Sequence, residues 1–206
     1  EHCDFRATDM TEADGQASFL CHFDGKSYPV TINTLGKHNV LNALAAIAVG
    51  NHFGVPVETA VKQLMQFKGQ RQSIRESNGY TVIDDTYNAS PDSMKASLSI
   101  LDTMKGKNHK VAVLADMLEL GENSPLYHKE VGTYLADTSI TDLFAVGDLI
   151  DHTIAEVKEK NPSVIVRKFD DNESLTAALQ KFLQPGDAVL LKGSNGMKLK
   201  EVAAAL

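Results

Sequence analysis

From Tyr80 onward the chain repeats one pattern: a short apolar run, a polar loop, then an apolar-periodic segment of helical length. The runs Tyr80–Ile83, Lys110–Leu114, Leu143–Val146, Val164–Arg167 and Ala188–Leu191 alternate with predicted helices at Pro91–Met104, Pro125–Ala136, Leu149–Lys160, Glu173–Leu183 and Lys198–Ala205. Strands separated by helices must be joined by crossovers, which pair the strands in parallel and lay the helices on the sheet faces. Each run is short and apolar throughout, as a strand covered on both sides requires. The pattern predicts an α/β fold with a Rossmann-like, mostly parallel sheet and helices on both faces.

In such a sheet ligands bind outside the carboxyl ends of the strands. Those ends carry Asp84 and Asp85, then Asp116 and Glu119, then Gly147-Asp148, Asp170-Asp171 and Lys192-Gly-Ser-Asn-Gly196. The first of these is the most informative, because Val82 to Ser93 runs from a strand through acids, Tyr87 and Asn88 into Ser90-Pro91. Ser before Pro starts a helix well: the hydroxyl caps, and Pro at the first helical position gives up no needed N–H. Asp and Asn also cap and turn ordinary loops, so one such loop weighs little. Their repetition along one edge suits a ligand site as well as it suits plain turn chemistry. Lys192 to Gly196 is a Gly-containing turn with a lysine and a hydroxyl, which suits an anion as well as it suits a simple turn. His128, on the helix opened by Ser124-Pro125, reads as a packing or surface histidine. Asp170 to Glu173 reads as a helix cap with solvated charge.

Residues 3–33 read as antiparallel strands, with Asp24-Gly25 turning a hairpin between Phe19–Phe23 and Tyr28–Ile32. Gly25-Lys26-Ser27 has the tail of a phosphate-binding loop, yet Leu20 stands where that loop needs its first Gly. Gly36 to Val49 is rich in Ala and Leu and predicts a helix. His38, Asn39 and Asn42 share its first turns, where they cap the helix or face an anion and a base edge. A second helix is predicted over Val57 to Phe67.

The net charge of −7 argues against a general nucleic-acid or anionic-membrane binder. No apolar run approaches the roughly 18–20 residues that cross a bilayer, and no leader is expected. Cys3 and Cys21 have no metal-binding spacing, which predicts reduced thiols and a cytoplasmic chain. Glu1 in place of Met suggests a start inside a longer protein.

Gly36-x-His38-Asn39-x-x-Asn42, then Gly69-x-Arg71, then Asp85-x-Tyr87-Asn88-Ala-x-Pro-Asp92-Ser93-Met resemble the Mur ligase family. Leu114-Ala-Asp116-Met-Leu-Glu119-Leu-Gly121, His128-x-x-Val131-Gly132 and Lys192-Gly-Ser194-x-Gly196-Met197 resemble the branch that adds D-Ala-D-Ala. The likeness covers nearly the whole chain in order. It implies that residues 1–70 are the hairpin and helical end of a central ATPase domain and residues 71–206 a Rossmann-like C-terminal domain. The implied reaction joins D-Ala-D-Ala to UDP-MurNAc-tripeptide with ATP and Mg²⁺, through an acyl phosphate. By the same resemblance His38, Asn39, Asn42, Arg71 and Asp85 contact ATP, with Arg71 at the phosphates as the catalytic residue and Asp85 on the ribose. Tyr87, Asn88, Lys192 and Ser194 line the amine-substrate side, and Gly69–Gln72 is the expected hinge. The phosphate loop, the Mg²⁺ ligands and the UDP-binding domain are absent from these residues, so a fragment inactive alone is expected. Two alternatives stand: a non-catalytic nucleotide or dipeptide module, and a sibling ligase adding one amino acid. Asp171-Asn172-Glu173-Ser174 lacks the sibling's Asp-Asn-Pro-Arg-type motif.

Overall fold

The computed structural model describes residues 4–13, 15–67 and 72–206. The chain divides into two compact units, Glu1–Gln70 and Arg71–Leu206.

In the first unit β1 (Arg6–Ala13), β2 (Gln16–Phe23) and β3 (Lys26–Ile32) form an antiparallel sheet in that order. Asp24 and Gly25 have φ of 49° and 71°. Two successive left-handed residues give the turn whose twist matches the flanking strands, which is why Asp-Gly closes this hairpin. Alternation along β2 and β3 puts Ala17, Phe19, Cys21, Val30 and Ile32 on one face. There they meet Val40, Ala43 and Ile47 of α1 (Lys37–His52) and Val57 and Val61 of α2 (Val57–Gln66). Cys21 is buried and unbridged, and burial pushes its thiol up. Cys3 lies outside the described residues.

The second unit holds β4 (Ser73–Ser77), β5 (Tyr80–Asp84), α3 (Pro91–Thr103), β6 (Lys110–Ala115), α4 (Ser124–Ala136) and β7 (Asp142–Val146). It continues with α5 (Asp151–Lys160), β8 (Ile165–Phe169), α6 (Asn172–Phe182), β9 (Ala188–Lys192) and α7 (Leu199–Ala204). The strand order is β4-β5-β9-β6-β7-β8, all parallel except β4, which pairs antiparallel with β5. The strand–helix alternation therefore gives the parallel sheet it predicts. The extra strand, β4, is Ser-Ile-Arg-Glu-Ser, with a single apolar residue and no alternation to read. It sits at the sheet edge, where polar residues discourage pairing with other chains.

Val82, Val111, Val113, Ala115, Phe144, Val189 and Leu191 face Leu175 and Leu179 of α6 and Leu199 and Val202 of α7. The alternate residues Ile83, Ala112, Leu114, Leu143 and Leu190 are equally buried, on the face where α3 packs against β6 and β9. Each fully buried aliphatic side chain contributes about 1.5–3 kcal/mol relative to exposure. On that side α4 packs against α3 and α5. The approach to α5 is close at Gly132, where a Cβ would lie 2.7 Å from the Thr153 carbonyl oxygen.

The order of connections positions the site. The chain steps from β5 to β6, β7 and β8 in one direction, then returns through α6 to insert β9 between β5 and β6. The loops after β5 and β6 lead to helices on one face, and the loop after β9 leads to α7 on the other. Neighbouring loops that part in this way open a crevice at the carboxyl edge.

Candidate functional site

The β5–α3 loop is built from local turns and one long-range lock. The Asp84 carboxylate accepts the Thr86 N–H at 3.2 Å and the Thr86 hydroxyl at 2.7 Å, so it serves the turn itself. Ser90 and Ser93 then form a reciprocal capping box that starts α3. Between them, Asp85 Oδ2 accepts the Ser97 hydroxyl at 2.5 Å and the Lys192 ammonium at 2.7 Å. Lys192 Nζ also donates to the Asn88 carbonyl at 3.0 Å and reaches the Asp85 carbonyl at 3.5 Å. The Lys192 side chain is 2 % exposed and that of Asp85 15 %. A lysine this buried is tolerated because its charge and its protons are matched.

The other loops are tied in the same manner. Asp116, buried at the end of β6, accepts the Asp148 N–H at 3.0 Å and the Ile150 N–H at 2.8 Å, fixing the loop after β7. Gly147 makes room for it: φ there is 121°, and a Cβ would lie 2.4 Å from Asp116 Oδ1. The Ser194 N–H donates to the Asp116 carbonyl at 3.0 Å, and Ser194 Oγ accepts the Leu118 N–H at 2.8 Å. His128 is fully buried; its Nε2 accepts the Met117 N–H at 3.0 Å while Nδ1 lies 2.8 Å from the Ser124 carbonyl. An Nε2 that accepts leaves the proton on Nδ1, so both ring nitrogens are engaged and His128 is structural. Asp171 caps α6, accepting the Ser174 N–H at 2.7 Å; that bond first, then the Ser174 hydroxyl, holds its carboxyl below the usual range.

These tied loops enclose a cavity of about 500 Å³ lined by Tyr87–Ala89, Leu118 with Glu119, and Ser194–Gly196. Its walls come from the ends of β5, β6 and β9, the strands at the crevice. Ser194 accepts from Leu118, which leaves its own hydroxyl proton to donate. Glu119 adopts a φ of 63°, an unusual conformation for a residue with a side chain, and its exposed carboxylate forms no hydrogen bond among the described residues. The sequence places Glu119 at a strand end but gives no sign that it lines this cavity, because its position follows from that backbone turn. Leu118 is likewise part of the lining without a signal in the pattern, whereas Asn195 lies in the Lys192–Gly196 turn that the sequence marks as suited to an anion. A larger depression, about 650 Å³, lies at the opposite, amino edge of the sheet around Asp102–Asn108. Two of its ammonium groups are already held, Lys107 by Thr81 and Lys110 by Ser139 and the Asp102 carbonyl.

The structure thus brings Asp85, Asn88 and Lys192 into direct contact and places Tyr87, Asn88 and Ser194 on one cavity. Lys192 sits behind the loop and is not among the lining residues. In the first unit, His38, Asn39 and Asn42 share the start of α1. Gly36 opens it at φ 99° with the His38 ring against it, since a Cβ would lie 2.5 Å from the ring. Asn39 donates to the Thr34 hydroxyl at 2.9 Å and the Leu35 carbonyl at 2.8 Å, so its amide holds the preceding turn. Asn42 is exposed and has no side-chain hydrogen bond among the described residues. Arg71, and with it Gly69 and Gln70 of the expected hinge, lies outside the described residues. Among the described residues no group of three His, Cys, Asp or Glu could hold a metal ion, and no helix is long and apolar enough to cross a membrane.

Residues 70–195 match the family described as Mur ligase, glutamate ligase domain, and residues 1–50 match the Mur ligase middle domain. The UDP-N-acetylmuramoyl-tripeptide–D-alanyl-D-alanine ligase of Bacillus subtilis is 37% identical over 209 residues, covering 100% of this chain and 45% of the relative. A crystal structure of MurF from Acinetobacter baumannii superposes with a TM-score of 0.84 at 30% identity, over 98% of this chain and 44% of that one. MurF ligase of Thermotoga maritima in complex with ADP superposes at 0.80 with 26% identity, over 98% and 45%. The chain therefore spans under half the length of the relatives it matches.

Proposed function

Because the chain belongs to the Mur ligase family, we propose that it is the carboxyl-terminal share of an ATP-dependent ligase that joins D-Ala-D-Ala to UDP-MurNAc-tripeptide in the cytoplasm. Residues 1–70 are then the end of the ATP-binding domain and residues 71–206 the domain that receives the amine. ATP phosphorylates the terminal carboxylate of the tripeptide, and the dipeptide amine displaces phosphate from the acyl phosphate. Chemistry of this kind depends on positioning and charge stabilisation. Asn42 reads the adenine with His38 and Asn39 beside the nucleotide, Asp85 accepts from the ribose hydroxyls, and Arg71 approaches the phosphates with its fixed charge. Tyr87, Asn88 and Ser194 meet the amine substrate, with Lys192 behind them. Mg²⁺ accompanies ATP, its protein ligands lying outside this chain.

The observation that most supports this reading is the cavity where the β5, β6 and β9 loops converge. It offers a phenol, amides, a hydroxyl donor and the Glu119 carboxylate to a small polar ligand, beside a pinned Asp85. A non-catalytic module that binds a nucleotide or dipeptide is the second reading, favoured by the commitment of the charged pair beside the cavity, Asp85 and Lys192, to each other. The two separate on ATP-dependent phosphate release with UDP-MurNAc-tripeptide and a panel of amines, using this chain and a polypeptide extended upstream to the relatives' length. The ligase reading expects release only from the extended polypeptide, with D-Ala-D-Ala the preferred amine. A folded extended polypeptide that stays silent with every amine would overturn it in favour of the module.

A further inference from the structure

We propose that Lys192 is a positioning residue for the nucleotide side of the site, setting Asp85 to accept from ribose, and that it does not itself hold a substrate anion. An ammonium has three protons. Here two are committed, to Asp85 Oδ2 at 2.7 Å and the Asn88 carbonyl at 3.0 Å, and the third faces the Asp85 carbonyl at 3.5 Å. With 2 % of the side chain exposed and an ion pair that cancels its charge, Lys192 has neither a surface nor a net field to offer an incoming carboxylate. Its three contacts instead span the loop from Asp85 to Asn88. They tie residues of the β5–α3 loop to the end of β9, across a separation of 107 positions in sequence.

The consequence falls on the other oxygen of Asp85. Ser97 and Lys192 both bind Oδ2, while Oδ1 carries no hydrogen bond among the described residues. The carboxylate is therefore held by one oxygen with the second left to accept. A vicinal diol is the ligand chemistry such an acceptor suits, since its hydroxyls donate and a charged acceptor strengthens the bond. Without Lys192, Asp85 keeps only the Ser97 hydroxyl, and a carboxylate on one short hydroxyl contact is free to rotate.

The inference rests on the proposed role of Asp85 toward ribose, and one titration separates the two. A polypeptide extended upstream to the relatives' length, as wild type, D85N, K192M and K192Q, is titrated with ADP and with 2′,3′-dideoxy-ADP. Thermal melting and amide exchange over the whole chain confirm that each variant is folded, and K192Q stands in should K192M not fold. Wild type is expected to favour ADP by about tenfold or more, the factor that one charge-assisted hydrogen bond supplies. D85N and K192M are expected to bring that ratio close to one, with K192Q between them. A merely structural lysine would weaken both nucleotides alike and leave the ratio unchanged. If D85N loses the preference while the folded Lys192 variants keep it, the positioning role is overturned and the ribose reading survives. A wild type that binds neither nucleotide, or both equally, overturns the ribose reading and this inference with it.

Discussion

The two units bury their sheets differently. In Arg71–Leu206 both faces of the sheet are covered, by α3 to α5 on one side and α6 and α7 on the other, and β5, β6, β7 and β9 have almost no exposed residue. In Glu1–Gln70 the sheet has one covered face, and α1 is apolar on two sides. Val40, Ala43 and Ile47 face the core, while Leu41, Ala45 and Val49, four residues apart, form an exposed stripe that ends on Phe53. Phe53 is 78 % exposed, Val49 57 % and Leu41 54 %. A helix apolar all round belongs in the interior of a larger body. The second unit is thus a complete hydrophobic assembly, whereas the first presents a face suited to being covered. That contrast agrees with a match to the Mur ligase middle domain over residues 1–50.

The largest expected effect tests the completeness of the second unit. Leu114 is fully buried in the central strand β6, so Leu114→Ala removes apolar contacts and leaves a cavity. A loss of about 2–5 kcal/mol is expected in urea unfolding. A loss under about 1 kcal/mol would mean that this core is loosely packed and the comparison misplaced.

Gly147→Ala comes next. It forces a side chain into a φ of 121° and pushes its Cβ to 2.4 Å from Asp116 Oδ1. Backbone strain and overpacking each cost about 1–3 kcal/mol, so a loss of roughly 2–4 kcal/mol is expected, with faster amide exchange at Asp148 and Ile150. Unchanged exchange there would show that Asp116 does not hold this loop.

A pH effect should separate the units further, because among the described residues the carboxyls held below their usual range all lie in the second. Glu156 is held down first by the Thr133 hydroxyl, then by Lys129 and Lys160. Asp171 is held down first by the Ser174 N–H. For Asp102 burial acts upward and is the largest single influence, but the Ser139 hydroxyl and N–H and the Lys110 charge together outweigh it. A depressed folded value means that the unfolded chain takes up protons first. The stability these groups contribute is present above the ordinary carboxylate range and is lost as pH falls below about 4.5 toward the folded values. Glu156→Gln should flatten that acid slope for the second unit and leave the first unit's unchanged.

How much of this was legible in the sequence follows from the range of each interaction. The parallel sheet could be read because every strand's apolar run is local, and the hairpin because Asp24-Gly25 sets its own turn. Ser90-Pro91 and Asp171 announced their helices for the same reason. β4 escaped because an edge strand with one apolar residue carries no period. Lys192 could be named from its turn, but its commitment to Asp85 and Asn88 depends on how β9 inserts beside β5, which no local pattern encodes. Glu119 joins the cavity only through its left-handed turn.

The smallest expected effect is also the sharpest test of the comparison. Phe53→Ser and Val49→Ser change the exposed stripe of α1, and neither residue belongs to the first unit's core. Substitutions at sites without buried partners stay within about 0.5 kcal/mol, so the melting of this chain should hardly move. Solubility should rise, because a contiguous apolar stripe promotes association. The same two changes in a polypeptide of the relatives' full length should behave in the opposite sense. If additional chain covers α1 there, each polar substitution becomes a core lesion costing about 2 kcal/mol or more. Equal tolerance in both contexts would show that the stripe faces solvent in the longer protein too. The difference between the two units would then be one of size alone, a small sheet with less surface to bury, and no longer a sign of an unfinished interface.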